Sequence, residues 1–291
     1  MLIIKNYVAA VHTFANHRSL LVKGCIICVL LLGAGGSLMA QGDLLISPQR
    51  IMFEGNRKSQ EINLANVGKD TATYSISVVD YRMTDDGGFE EIKEPDPGQR
   101  FAGPFLRFFP RKVTLAPNEA QVVKVQLIKT NELTTGEYRS HLYFRAVPDE
   151  KPLGEAPAKK DSGISIHLTP IFGITIPVII RSGECKADVT LSDLSFSADN
   201  TPLLHMVFNR TGNISVYGDL TVDHISPSGK TTQVRWARGI GIYSTNKIRR
   251  TDVELDTDKN VDFHKGKLHI SYTVQTGDKT VKNVEADVAL H

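Results

Sequence analysis

From Ile164 to Ile180 apolar side chains recur at every second position. The even positions read Ile164, Ile166, Leu168, Pro170, Phe172, Ile174, Ile176, Val178 and Ile180, and the odd ones are mixed. Period two predicts a β-strand with one apolar face. Pro170 and Pro177 cannot donate ladder hydrogen bonds, which pushes this strand toward the edge of a sheet. A long apolar edge strand invites aggregation and is normally blunted, so its retention here points to use.

The rest of the chain repeats the β pattern in shorter pieces. Strands are predicted over Leu44–Phe53, Glu61–Ala65, Tyr74–Arg82, Phe105–Phe109, Gln121–Ile128 and Tyr138–Val147. Turn chemistry separates them at Asn66-Val67-Gly68, Asp85-Asp86-Gly87-Gly88 and Ala116-Pro117-Asn118. With the long strand this is about seven strands in about 140 residues, the signature of an immunoglobulin-like sandwich. Asp149–Gly163, rich in Pro, Gly, Ala and charge, forms a long loop just before the apolar strand. Beyond Arg181-Ser182-Gly183 the rhythm restarts over Ala187–Phe196, Leu203–Asn209, Ser215–His224, Gln233–Ala237 and Leu268–Gln275. The expected fold is all-β: two immunoglobulin-like β-sandwich domains, residues 43–181 and 184–291, joined by a short hinge. Such a molecule is boomerang-like, with a cleft between its halves.

The first forty residues have the layout of a secretory signal: a positive stretch ending at Lys23, then an apolar run from Gly24 to Ala40. Cleavage after Ala40 or Gly42 makes residues 1–42 a leader. The run is shorter than a membrane span requires and is interrupted by Gly33, Gly35 and Gly36, so no membrane insertion of the mature chain is expected. The leader also explains the formal charge of +2. It holds Lys5, Arg18 and Lys23 and no acid, so 34 − 3 = 31 basic residues remain against 32 acidic ones. A net −1 gives no reason to expect nucleic acid as a partner. Cys25 and Cys28 lie within the leader; only Cys185 remains, which excludes an intrachain disulfide in an exported product.

Catalytic signals are absent. The histidines after the leader (His141, His167, His205, His224, His264, His269 and His291) form no metal-ligand spacing. There is no G-x-S-x-G, no P-loop and no dinucleotide fingerprint, so the chain reads as non-enzymatic and without cofactor or metal. Arg50 stands out among apolar neighbours, where a guanidinium either snorkels to solvent or faces an anion. In Phe105-Leu106-Arg107-Phe108-Phe109, period two places Phe105 and Phe109 inward on a core strand.

Four segments in order resemble the PapD-like periplasmic chaperones of the chaperone–usher pilus pathway. Ile46–Gly55 is similar to that family's opening strand with its arginine. Phe108–Val125, Tyr138–Pro148 and Ile164–Ile180 are similar to its later strands. The resemblance implies a periplasmic, non-enzymatic protein that stabilises incomplete pilus subunits by lending them a strand, the donor-strand complementation form of β-strand addition. It further implies pilus subunits and an outer-membrane usher as partners, and it is compatible with a self-capping oligomer. By position, the donated residues are Ile164, Ile166, Leu168 and Phe172, within a donor strand over 164–180, and Arg50 is the anchor for a subunit's terminal carboxylate. The family's companion lysine aligns with Gly173, leaving Arg111, Lys112 or Arg181 as substitutes. The alternative is an immunoglobulin-like structural or adhesive cell-surface protein that uses the same strand for self-association.

Overall fold

Strands make up nearly all the regular structure in the computed structural model, which describes residues 43–148, 171–198, 201–276 and 279–290. The first ten are β1 (Leu44–Ser47), β2 (Ile51–Phe53), β3 (Ser59–Asn66), β4 (Ala72–Met83), β5 (Phe89–Ile92), β6 (Leu106–Phe109), β7 (Lys112–Leu115), β8 (Ala120–Leu127), β9 (Gly136–Val147) and β10 (Gly173–Ser182). Seven more follow: β11 (Ala187–Ser197), β12 (Leu203–Gly212), β13 (Val216–Ile225), β14 (Thr231–Ile242), β15 (Ile248–Glu254), β16 (Gly266–Thr276) and β17 (Lys279–Leu290).

They assemble into two sandwiches. In the first, the sheet β1-β3-β8-β6 faces the sheet β2-β10-β9-β4-β5, with β7 also on β4; in the second, β11-β12-β15 faces β14-β13-β16-β17. Each pair of sheets closes on its own apolar core. Ile62, Leu64, Val123, Val125, Leu142 and Phe144 are central to the first, and Leu204, Phe208, Leu220, Val222, Ile270 and Tyr272 to the second. The all-β, two-sandwich class is therefore the one observed. The link between the cores is short, running from Gly183 to Lys186. Gly183 has φ +67°, and a Cβ there would come within 2.4 Å of Thr135 Oγ1, so both backbone conformation and space demand glycine. Asn213 then holds the link: its Oδ1 accepts from Lys186 N at 2.9 Å and its Nδ2 donates to Glu184 O at 2.8 Å.

Several expectations change. The predicted strand Leu44–Phe53 is two strands in different sheets, β1 on β3 and β2 parallel to β10. Pro48, which has no N–H for a ladder, sits in the break, and so does Arg50. Phe105 and Phe109 do not point inward together. Phe105 belongs to a 3₁₀ turn (Gly103–Phe105), the alternation starts at Leu106, and Leu106 and Phe108 face the core while Phe109 is 76% exposed. Strands β5, β7, β15 and β17 have no counterpart in the sequence reading. Of the long apolar segment, residues 164–170 lie outside the described residues, as do residues 1–42 and the loop 149–163. From Ile174 onward its even residues join the first core, Ile176, Val178 and Ile180 being fully buried.

Candidate functional site

Strand β9 is buried on nearly all sides from Gly136 to Phe144. Its even residues Tyr138, Leu142 and Phe144 face the first core, which leaves Glu137, Arg139 and His141 on the opposite face. A strand can bury such residues only if partners satisfy them, and the second sandwich supplies those partners. Ser215 donates to Glu137 Oε2 from its backbone N at 2.9 Å and from its hydroxyl at 2.7 Å. Arg139 donates to Glu137 Oε1 at 2.7 Å, to Ser215 Oγ at 2.6 Å and to the Tyr217 hydroxyl. Arg181 of β10 reaches Glu137 at 3.3 Å, Glu54 at 2.8 Å and the Ser215 carbonyl at 3.0 Å.

These contacts fix the ionisation of the cluster. Burial alone would raise the Glu137 pKa, but Arg139, Arg181 and the Ser215 hydrogen bonds outweigh it and hold the carboxyl below its usual range. Burial would likewise lower the Arg139 pKa, and Tyr217, Glu137 and Tyr243 reverse the shift. His141 is different. Burial, reinforced by the positive charge of Arg139, pushes its pKa down to about 3. The ring is neutral, with Nε2 3.2 Å from the Tyr243 hydroxyl and no hydrogen-bond partner for Nδ1 among the described residues.

A second strip of contacts bridges the sandwiches at the β4–β5 hairpin. Arg250 N donates to Asp85 O at 2.6 Å, and Asn246 Nδ2 to Met83 O at 3.0 Å. Between the two strips lies a cavity of about 520 Å³, walled by Tyr81, Phe89, His141 and Pro177 on one side and Tyr217 and Tyr243 on the other. Four of these rings form a closed circuit, with centroid separations of 6.3 Å (Tyr81–Phe89), 5.4 Å (Phe89–Tyr243), 6.3 Å (Tyr243–His141) and 5.0 Å (His141–Tyr81).

Arg50 stands at the rim of this cleft. As a residue it is exposed, yet its guanidinium carbon sits 3.6 Å above the centre of the Tyr217 ring. Burial against that ring, with Arg139 and Arg181 among the nearby charges, lowers its pKa, while Tyr217 and Tyr243 oppose the shift. Among the described residues Arg50 has no carboxylate partner, whereas Arg139 and Arg181 are both paired. Arg50 directly precedes Ile51, which pairs with Val178 in the parallel register, and the neighbouring Pro177 pairs with His141. Arg50 therefore enters the sheet at the end of β2, next to the part of β10 that faces His141.

The other predicted residues are placed as follows. Ile164, Ile166 and Leu168 lie outside the described residues. Phe172 is 46% exposed, and its carbonyl accepts from Ala146 N at 2.9 Å. Gly173 lies opposite Arg145, four residues along β10 from Pro177, and Tyr143 covers it so closely that a Cβ would meet the ring at 2.2 Å. Of the suggested substitute cations, Arg181 belongs to the buried cluster. Arg111 stacks on Phe108, and Lys112 lies opposite Ser75. Sequence reasoning missed Glu137, Arg139, His141, Tyr217 and Tyr243. The available signal was Glu-x-Arg-x-His at period two along β9.

No family model matches this sequence, and no curated protein matches it. Solved structures do. The chain resembles chaperones of pilus assembly. It is similar to the CupB2 chaperone of Pseudomonas aeruginosa (14% identity, 84% of this chain and 100% of that one, TM-score 0.40). It is also similar to a chain of the CsuC–CsuE chaperone–tip subunit pre-assembly complex of archaic chaperone-usher Csu pili from Acinetobacter baumannii (13%, 83% and 97%, 0.45). A third is a chain of the complex of the SafA pilin with the SafB chaperone from Salmonella enterica (11%, 86% and 98%, 0.41).

Proposed function

We propose that this chain is a periplasmic, non-enzymatic chaperone that holds incomplete pilus subunits by donor-strand complementation and delivers them to an usher. The observation that carries the reading is a sheet edge that, among the described residues, has no strand partner, beside a cation that has no carboxylate partner among them. Strand β2 pairs with β10 only at Val178–Ile180, so among the described residues Gly173–Pro177 have β9 on one side and no strand on the other. Ile171 and Phe172, at the start of that edge, are 44% and 46% exposed. An unpaired edge is a template for a partner's strand. In this reading Arg50, which directly precedes Ile51 and has no carboxylate partner among the described residues, fixes the register of such a strand by taking its terminal carboxylate.

By sequence the donated face continues toward the N-terminus through Leu168, Ile166 and Ile164. Burying these three and Phe172 in a subunit contributes on the order of 6–12 kcal/mol gross, against which association costs about 4–15 kcal/mol. The anchor and the edge hydrogen bonds therefore decide whether binding is tight. Periplasmic co-purification tests the reading. The native chain is expected to carry a one-to-one partner, Ile166→Arg and Leu168→Arg to lose it while remaining folded, and Arg50→Ala to weaken it at least about tenfold (about 1.4 kcal/mol). Retention of the partner by both arginine variants refutes the donor strand, and unchanged binding by Arg50→Ala refutes the anchor.

A further inference from the structure

Strand donation makes no use of the aromatic cavity, which shares Tyr217 with the Arg50 site, and its chemistry is specific. We propose that it is a side-chain pocket for the partner's last residue, selecting an aromatic ring that carries a hydroxyl, with tyrosine as the fitting residue. The proposal deepens the reading above, since it takes the terminal carboxylate at Arg50 as its starting point.

Three observations lead to it. The first is placement. Arg50 directly precedes Ile51 of β2, which pairs with Val178 of β10, and the neighbouring Pro177 pairs with His141 of β9. From the end of β2 across β10 to β9 is two strand spacings, about 9–10 Å, a span that one aromatic residue bridges from carboxylate to ring edge with a hydrogen bond at each end. Tyr217 belongs to both places, since it is the platform beneath Arg50 and a wall of the cavity. The second is the lining. Tyr81, Phe89 and Tyr243 offer ring faces and edges that favour a further ring in offset or edge-to-face contact.

The third is an unmet hydrogen bond. His141 is 6% exposed, lines the cavity and has no partner for Nδ1 among the described residues. If its Nε2–H donates to Tyr243, Nδ1 needs a donor; in the other tautomer Nδ1–H needs an acceptor. A phenolic hydroxyl serves either case. Arg249 also lines the cavity, and its Nε, without a partner among the described residues, is a second donor there. An aromatic enclosure would also suit an organic cation, but Arg249, which lines this one, repels positive charge. Charge complementarity thus favours a residue that brings a carboxylate to Arg50 and a neutral ring to His141.

The test uses the full chain and N-terminally fluorescein-labelled pentapeptides, Gly-Gly-Gly-Gly-X, read by fluorescence anisotropy. The expected order is Tyr, then Phe, then Ala, with Tyr at least about tenfold tighter than Ala (about 1.4 kcal/mol). The amide of the Tyr peptide is expected to lose most of that affinity. Replacing the ring that carries the unmet nitrogen, His141→Phe, brings the Tyr peptide down to the level of the Phe peptide. Phe89 is 55% exposed, so Phe89→Ala leaves folding intact; it weakens the Tyr and Phe peptides several-fold and leaves Ala unchanged. Equal binding of Tyr and Ala with a weakened amide overturns the pocket and leaves the Arg50 anchor standing. Equal binding of the Tyr acid and its amide overturns the assignment to a terminal residue. Failure of every peptide to bind overturns the pocket, while the co-purification experiment judges the chaperone reading separately.

Discussion

Protonating His141 is the cleanest single perturbation this fold allows. The ring is buried beside Arg139 and its pKa is pushed down to about 3, against an ordinary value near 6.5. A group with a depressed folded pKa contributes stability that is fully present above its unfolded pKa and is lost as pH falls through the folded one. For His141 that window runs from about pH 6.5 to about pH 3. At pH 5 the unfolded chain holds this proton almost fully and the folded chain almost not at all. Linkage then gives a loss of about 2 kcal/mol between pH 7 and pH 5, at about 1.4 kcal/mol per pH unit once below 6.5.

The assay is urea unfolding followed by far-ultraviolet circular dichroism at pH 7, 6 and 5, on the native chain and on His141→Phe. The native chain is expected to lose about 2 kcal/mol more than the variant across that range, because the other titrating groups are common to both and cancel in the difference. Physically, a protonated ring would sit next to the Arg139 guanidinium with an Nδ1–H that has no acceptor among the described residues. Parallel pH dependences in the two proteins would refute the burial argument. They would show that His141 gains solvent, or an acceptor, on its cavity side.

Three further expectations follow from the same geometry. Glu137 is 3% exposed and is bonded by Arg139, Arg181 and Ser215, so Glu137→Gln strands buried cations and should cost about 3–5 kcal/mol in urea unfolding. Its carboxyl is held below the usual range, so its share of stability is complete above about pH 4.3 and is lost as pH falls further; the acid limb of the stability profile should flatten in the variant. Phe108→Ala should cost about 3–5 kcal/mol and Phe109→Ser less than about 0.5 kcal/mol, since the first is buried and the second exposed; similar thermal shifts for the two would return β6 to the opposite facing. At Gly241 a Cβ would come within 2.7 Å of Tyr217 Cε1, so Gly241→Val should displace the platform under Arg50 and weaken peptide binding with only a modest change in melting temperature.

What the sequence disclosed depended on how each strand gets its stability. Strands with one buried face, such as β12 and β13, carry strict alternation and are legible without a structure. Strand β5 has no buried residue and β15 has one, so no local hydrophobic pattern marks them. They are strands because β4 and β12 pair with them. The error at Phe109 has the same root: parity was counted from Phe105, which packs against the core but which a turn removes from the strand. At the site, Arg50 was legible because a guanidinium among apolar neighbours is anomalous. Glu137, Arg139 and His141 were printed at period two but look like an ordinary solvated face, and only the second sandwich reveals them as buried. Tyr217 and Tyr243 acquire their roles from packing between sandwiches, which no local window contains.

The buried cluster also raises the question of what it is for, since ion pairs of this kind are weak contributors to stability. Replacing a buried pair by apolar residues of similar size is often neutral, whereas removing one partner is costly. The double variant Glu137→Leu/Arg139→Met is therefore expected to unfold within about 2 kcal/mol of the native chain, well above Glu137→Gln. Function should separate from stability here. Arg139 donates to the Tyr217 hydroxyl, and Tyr217 seats Arg50. Without that donor the ring loses a tether and keeps its contacts with Tyr243 and Gly241, so Arg50 is less firmly positioned relative to the β10 edge. The double variant should then bind the terminal-tyrosine peptide at least about tenfold more weakly (about 1.4 kcal/mol) while remaining folded. If it binds as tightly as the native chain, the cluster does no more than satisfy its own charges, and the orientation of Arg50 must come from β2 and β10 alone.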